Sequence, residues 1–171
     1  RETQGVGGTI QYVRDGVPRC TAPLANTMVL SSLSRPDPCT SERMLDRVNA
    51  VRKYRDDPAY SILGWVEGPA AEAADLRGVT QFLMDLMDDE PFVCNLIDLC
   101  LDTAILFAET QVEAGADTIG IGDAIASQVS PDIYERLIQP REKKLVEAIH
   151  RAGAFVKLHI CGNITRLLPG I

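Results

Sequence analysis

The chain has 171 residues, of which 46% are hydrophobic and 24% charged, the composition of an ordinary globular protein with room for one substantial core. A net charge of −7 with no Lys/Arg cluster argues against a nucleic-acid partner held through its phosphates. No unbroken apolar run reaches the roughly 20 residues of a membrane span, and no signal-peptide pattern opens the chain, so no membrane partner and a cytoplasmic location are expected.

Residues 1–60 read as an N-terminal leader with a hairpin and a helix. Thr9–Val13 and Pro18–Ala22 flank Asp15-Gly16, a type I′ turn signal. Asp37–Ser41 is loop-like, and Thr40 or Ser41 is placed to cap a helix to about Arg55 that buries Met44, Val48 and Val51. From residue 61 the pattern turns regular. Ser61–Glu67 reads as a strand closed by Gly68-Pro69, followed by helix broken near Gly78 and resuming to about Asp88. Pro91 opens a long helix to about Ala114, with Phe92, Leu96, Ile97, Cys100, Leu101, Ala104, Ile105, Ala108 and Val112 at helical spacing. Asp98, Asp102, Glu109 and Glu113 lie largely off that stripe, as a solvated face. Gly115 ends the helix, Asp117–Asp123 is a second strand, and Ser130-Pro131 starts a helix kinked at Pro140 and stopped at Gly153. Phe155–Cys161 is a third strand, and Ile164–Leu168 would begin another helix.

Strand and helix alternate three times, which implies a parallel α/β sheet, either doubly wound or a (β/α)8 TIM barrel. A barrel needs about 250 residues, so residues 61–171 would form a partial barrel, incomplete at its C-terminus. Arg1 is not an initiator and Ile171 falls where a helix would start, so truncation at both ends is expected. Unpaired strand edges would then invite self-association.

Five cysteines at odd spacings suit a reducing compartment better than a disulfide framework. Cys94 and Cys100 read as core residues. His159 and Cys161 stand at i and i+2, on one face of the third strand and at its C-terminal end, where barrel enzymes place their chemistry. Imidazole and thiolate so arranged can share a zinc ion; a catalytic zinc usually takes a third protein ligand, expected here beyond Ile171. His150, in the last turn before Gly153, reads as structural. Gly120 and Gly122 would face the same interior and leave room for substrate, although tight packing explains them too. Glu67 and Asp123 each end a strand. Either is a candidate catalytic proton donor, a partner for His159 or a further metal ligand, and either serves equally as a capping carboxylate. Trp65 is core or pocket wall.

Several motifs in order carry a resemblance. They are Gly64-Trp-Val-Glu-Gly-Pro69, Ala73–Gly78, Ala114–Asp117 leading to Gly122-Asp123-Ala124, Ser130-Pro131, and Leu158-His-Ile-Cys-Gly-Asn163. Together they resemble the uroporphyrinogen decarboxylase-like superfamily, and His159-Ile-Cys-Gly162 resembles its cobamide (corrinoid)-dependent methyltransferase branch. The resemblance implies His159 and Cys161 as zinc ligands and methyl transfer between a corrinoid carried by a partner protein and a small-molecule thiol or methyl donor; Asn163, just past the strand end, is a candidate substrate-binding residue. A metal-free porphyrinogen decarboxylase and a non-catalytic module that binds a corrinoid protein are the alternatives. The isolated chain, lacking a third ligand, is expected to be inactive.

Overall fold

The computed structural model describes residues 1–16, 19–57 and 59–171. A short helix α1 (Glu2–Gly5) precedes a two-stranded ribbon in which β1 (Ile10–Gln11) pairs antiparallel with β2 (Arg19–Cys20). The expected hairpin is therefore present, with Val17 and Pro18 outside the described residues. Its turn differs from expectation. Gly16 N–H donates to Val13 O, and neither Asp15 nor Gly16 has the positive φ of a type I′ turn. The longer connection from Gln11 to Arg19 relieves the geometric demand that a two-residue loop would impose.

Helix α2 (Glu42–Tyr54) buries Met44, Val48 and Val51 as its spacing predicts, although Ser41 caps it without a side-chain hydrogen bond. Then come β3 (Leu63–Glu67), α3 (Pro69–Arg77), α4 (Val79–Asp88), α5 (Glu90–Ala114) and β4 (Thr118–Gly122). A short 3₁₀ turn (Ala124–Gln128), α6 (Pro131–Ile133), a π-helical turn (Tyr134–Ile138), α7 (Gln139–Arg151) and β5 (Phe155–His159) complete the order. The π turn lies immediately before Pro140, whose missing N–H breaks the ordinary ladder; the helix answers by widening rather than by ending. Gly115, at φ +116°, closes α5 in the left-handed conformation that glycine alone adopts without strain.

The three long strands form a parallel sheet in the order β3-β4-β5. One face is apolar and covered. Val66, Ile119, Ile121, Val156 and Leu158 pack against Leu101, Ala104, Phe107 and Ala108 of α5 and Leu145 and Ile149 of α7. Phe155, Lys157 and His159 point the other way and are exposed, as alternation along the strand requires. The free edge of β3 is not bare. Trp65 N–H donates to Gln111 Oε1 at 3.0 Å, Trp65 O accepts from Gln111 Nε2 at 3.1 Å, and Glu67 N–H donates to Glu2 Oε1 at 3.0 Å.

Residues 1–60 contribute to both core clusters, Val6, Leu24 and Leu33 to one and Met44, Val48 and Val51 to the other. Other expectations are corrected. β5 stops at His159, so Cys161 lies just past the strand, and residues 165–170 form turns rather than a helix. Helix α5 is, by length and composition, apolar enough to cross a membrane. Its apolar surface is taken up by α2, α3, α4, α7 and β3, which makes it the central wall of the fold.

Candidate functional site

The C-terminal ends of β3, β4 and β5 lie side by side, and register aligns Glu67 with Gly122 and Gly122 with His159. Past His159 the chain turns at Gly162, and the two candidate ligands meet: His159 Nε2 is 3.1 Å from Cys161 Sγ, with both side chains exposed. Bond lengths of about 2.05 Å for Zn–N and 2.3 Å for Zn–S at a tetrahedral angle separate the two donors by roughly 3.6 Å. A small rotamer adjustment spans the difference, so the pair fits a metal of this kind as two of its ligands. Among the described residues no group of three His, Cys, Asp or Glu side chains is placed to hold a metal ion.

Asp123 follows β4 and is completely buried. Its Oδ1 accepts from Ala71 N–H at 2.9 Å and its Oδ2 from Ala70 N–H at 3.3 Å, the free donors of the first turn of α3. Its own N–H donates to His159 O at 3.0 Å. One residue thus ties the ends of β4 and β5 to the start of α3. Burial pushes its carboxyl well above the usual range and Glu142 adds to this, while the two α3 amides oppose it. The space against Gly68 that a side chain there would need is filled by Asp123.

Glu67 is half-buried. Burial first, and the nearby Glu2 second, raise its pKa, with Arg1 at 3.6 Å from Oε1 acting in the opposite sense. Behind it on α3, Glu72 is 3% exposed and accepts from Thr3 Oγ1 at 3.2 Å, leaving its other oxygen without a partner. Burial, then repulsion from Glu2, pushes Glu72 up to about 8. Asn163 is exposed, and its Oδ1 accepts from Thr165 N–H at 3.1 Å and Thr165 Oγ1 at 2.8 Å, which shapes the turn beyond the site. Gly120 and Gly122 do face the open side of the sheet, but the room above them holds the indole of Trp65.

The model of the family described as uroporphyrinogen decarboxylase (URO-D) matches residues 1–171. The chain belongs to this family. Among its relatives, "Methylcobamide:CoM methyltransferase MtaA" of Methanosarcina barkeri is 32% identical over 127 residues, 73% of this chain and 36% of that protein. "Methylcobamide:CoM methyltransferase MtbA" of Methanosarcina mazei is 38% identical over 106 residues, 61% of this chain and 31% of its own length. A uroporphyrinogen decarboxylase of Myxococcus xanthus is 26% identical over 157 residues, 88% of this chain and 44% of that enzyme. A solved structure, a methyltransferase from Methanosarcina mazei, superposes with a TM-score of 0.86 at 28% identity, covering 97% of this chain and 50% of that one. The chain therefore spans 31% to 44% of the length of these curated relatives. Sequence motifs and similarity agree on the family and on its cobamide methyltransferase branch.

Within this family member, the structure adds residues that sequence reasoning passed over. Gln111 lies on the α5 stripe between Ala108 and Val112 yet bonds both backbone groups of Trp65. Glu2 and Glu72 carry no motif, and only the folded chain sets Glu2 against both Glu67 and Glu72. A glutamate within an alanine-rich turn, as in Pro69-Ala-Ala-Glu-Ala-Ala74, was the one available signal for Glu72.

Proposed function

We propose that the chain forms a sector of a (β/α)8 barrel whose mouth carries a zinc-dependent methyl-transfer site, moving a methyl group between a corrinoid on a partner protein and a small thiol or methyl donor. The convergence of His159 Nε2 and Cys161 Sγ at 3.1 Å, just past the end of a parallel strand, carries this reading. The names of the relatives, which pair methylcobamide with CoM, supply the substrate class. Zinc held by His159 and Cys161 would lower the pKa of a coordinated thiol and so make a nucleophilic thiolate available near neutral pH.

The remaining roles belong to the chain's own groups. Glu67, on the same face and in register with His159 across the intervening Gly122 of β4, accepts the thiol proton on its carboxylate; its raised pKa brings it nearer to the working pH than a free carboxylate. Asp123 fixes the strand end that bears His159 through its N–H bond to His159 O. Gly120 and Gly122 set the depth of the substrate space by seating Trp65, and Asn163 borders the opening.

The test is zinc content and methyl transfer in the full-length protein. His159→Ala and Cys161→Ser are expected to lose bound zinc and methyl transfer together. Undiminished zinc in both variants would sink the site, and decarboxylation of a porphyrinogen by the metal-free protein would favour the decarboxylase activity of the other relatives. Corrinoid-protein binding with no methyl transfer by the intact protein would favour a non-catalytic module.

A further inference from the structure

Trp65, Gly120 and Lys157 form one row across the open face of the sheet, and Glu67, Gly122 and His159 the next. The indole of Trp65 spans both rows. A Cβ built on Gly120 would stand 2.5 Å from Trp65 Cζ3, and one on Gly122 would stand 2.8 Å from Cζ2. Neither separation is tolerable for a real Cβ, so a side chain at either glycine would require the indole to move. The two glycines, at i and i+2 on β4, thus form a flat slot that admits the indole and excludes any side chain of their own.

The slot has a direction. Trp65 is tied at its backbone by both ends of the Gln111 amide. Its ring system reaches the imidazole of His159, with ring centroids 6.2 Å apart and planes inclined at 56°. That lies within the distance range of favourable tilted aromatic pairs. His159 needs such a neighbour. It is exposed, and among the described residues its ring makes no recorded hydrogen bond other than the approach to Cys161 Sγ. A metal-ligating histidine is normally oriented by a hydrogen bond from its second ring nitrogen to a carboxylate, carbonyl or water.

We propose that Trp65 is the positioning residue for His159. Seated on Gly120 and Gly122, the indole restricts the imidazole to the orientation that brings Nε2 beside Cys161 Sγ. The consequence for metal affinity rests on the zinc-site reading above; the contact itself does not.

The chain contains one tryptophan and two histidines, so the contact can be read without metal. In proton–carbon NMR spectra of the metal-free 171-residue chain, Trp65→Leu is expected to move the ring-proton resonances of His159, by removing the indole ring current, and to leave those of His150 in place. Trp65→Phe, which retains an aromatic edge, should give an intermediate shift and guards against a Leu variant that fails to fold. In zinc titrations of the full-length protein Trp65→Leu should weaken binding about tenfold, the lower end of what losing a ligand's supporting partner costs, with Trp65→Phe recovering most of it. Gly120→Ala should weaken zinc binding in the same way by displacing the indole. Adding Trp65→Leu to Gly120→Ala should restore thermal stability without restoring zinc affinity. Unmoved His159 resonances in a folded Trp65→Leu chain would overturn the positioning role. Resonances that move as expected while the full-length wild-type protein binds no zinc would leave the contact standing and refute the zinc site instead.

Discussion

Replacing Asp123 separates its two possible duties, proton donor and helix cap, because each predicts a different ranking of two variants. As a cap, its oxygens accept from Ala70 and Ala71 N–H at 3.3 and 2.9 Å, inside a fully buried pocket against Gly68. Asp123→Ala removes both acceptors. Loss of a helix N-cap costs about 0.5–2 kcal/mol, and leaving a buried N–H unsatisfied costs about 1–3 kcal/mol. Since these overlap, a total near 2–3 kcal/mol is expected. Asp123→Asn keeps one oxygen acceptor at the same place and should cost under about 1 kcal/mol. Urea unfolding at neutral pH measures both, and methyl transfer by the full-length protein gives the second axis. A capping role predicts that Asn retains most activity while Ala loses activity and stability together. If Asn proves as stable as wild type but abolishes turnover, the cap is incidental and Asp123 moves a proton. If Ala proves no less stable than Asn, the capping geometry described above is wrong.

Two further outcomes follow from buried charge. Arg77, 6% exposed, donates from Nε to Asp85 at 2.6 Å and from Nη1 to Leu24 O at 2.5 Å and Thr27 O at 3.2 Å, so Arg77→Met should cost about 3–5 kcal/mol in urea unfolding by leaving the buried Asp85 without its cation and with only Gln81 Nε2 as a donor. Most of this should return in Arg77→Met/Asp85→Leu, and a double variant no more stable than the single would show that the ion pair is not the cause. Glu72, with its pKa raised from 4.5 to about 8, binds a proton more tightly folded than unfolded. Its contribution is thus fully present below about pH 4.5 and is lost as pH rises toward 8, by up to roughly 5 kcal/mol at 1.36 kcal/mol per unit. Thermal unfolding from pH 5 to 8 should show the decline, and Glu72→Gln should flatten it; an equal slope in the variant would place the titration elsewhere.

Local rules carried the elements that local chemistry determines. The alternation of Thr118-Ile-Gly-Ile-Gly122, the stop at Gly115 and the cap at Ser130 each depend on neighbours in the chain, and each stands as expected. What depended on register or on distant partners did not show. Trp65 and Gly120 become neighbours only once β3 and β4 are aligned, and a one-residue slip would put them on opposite faces. Arg77 and Asp85 sit on different helices divided by Gly78, so no helical spacing joins them. The expected stripe on α5 omitted Phe107 and Gln111, because a helix that packs on other helices and on a sheet buries more than one face. Cys161 was placed in the strand by extending alternation two residues too far, yet the turn at Gly162 still brings its sulfur to His159.

On the proposed methyl-transfer reading, the acidity of the chain opposes the site's chemistry, since a thiolate forming among carboxylates would be disfavoured. The structure resolves this through burial. Glu67, Glu72, Asp75 and Asp123, the acids of β3, α3 and β4 nearest the strand ends, all have raised pKa values, with desolvation the largest cause in each case. They hold protons to higher pH than free carboxylates do, so they contribute less negative charge at the mouth than their number suggests. Asp123 also occupies the amides at the start of α3, which removes that helix end as a seat for an anionic substrate group. On the open face of the three strands the cation is Lys157, exposed and two residues before His159. The mouth is therefore less negative than a chain of net charge −7 implies, and the cation nearest in sequence to the ligand pair lies on the same strand.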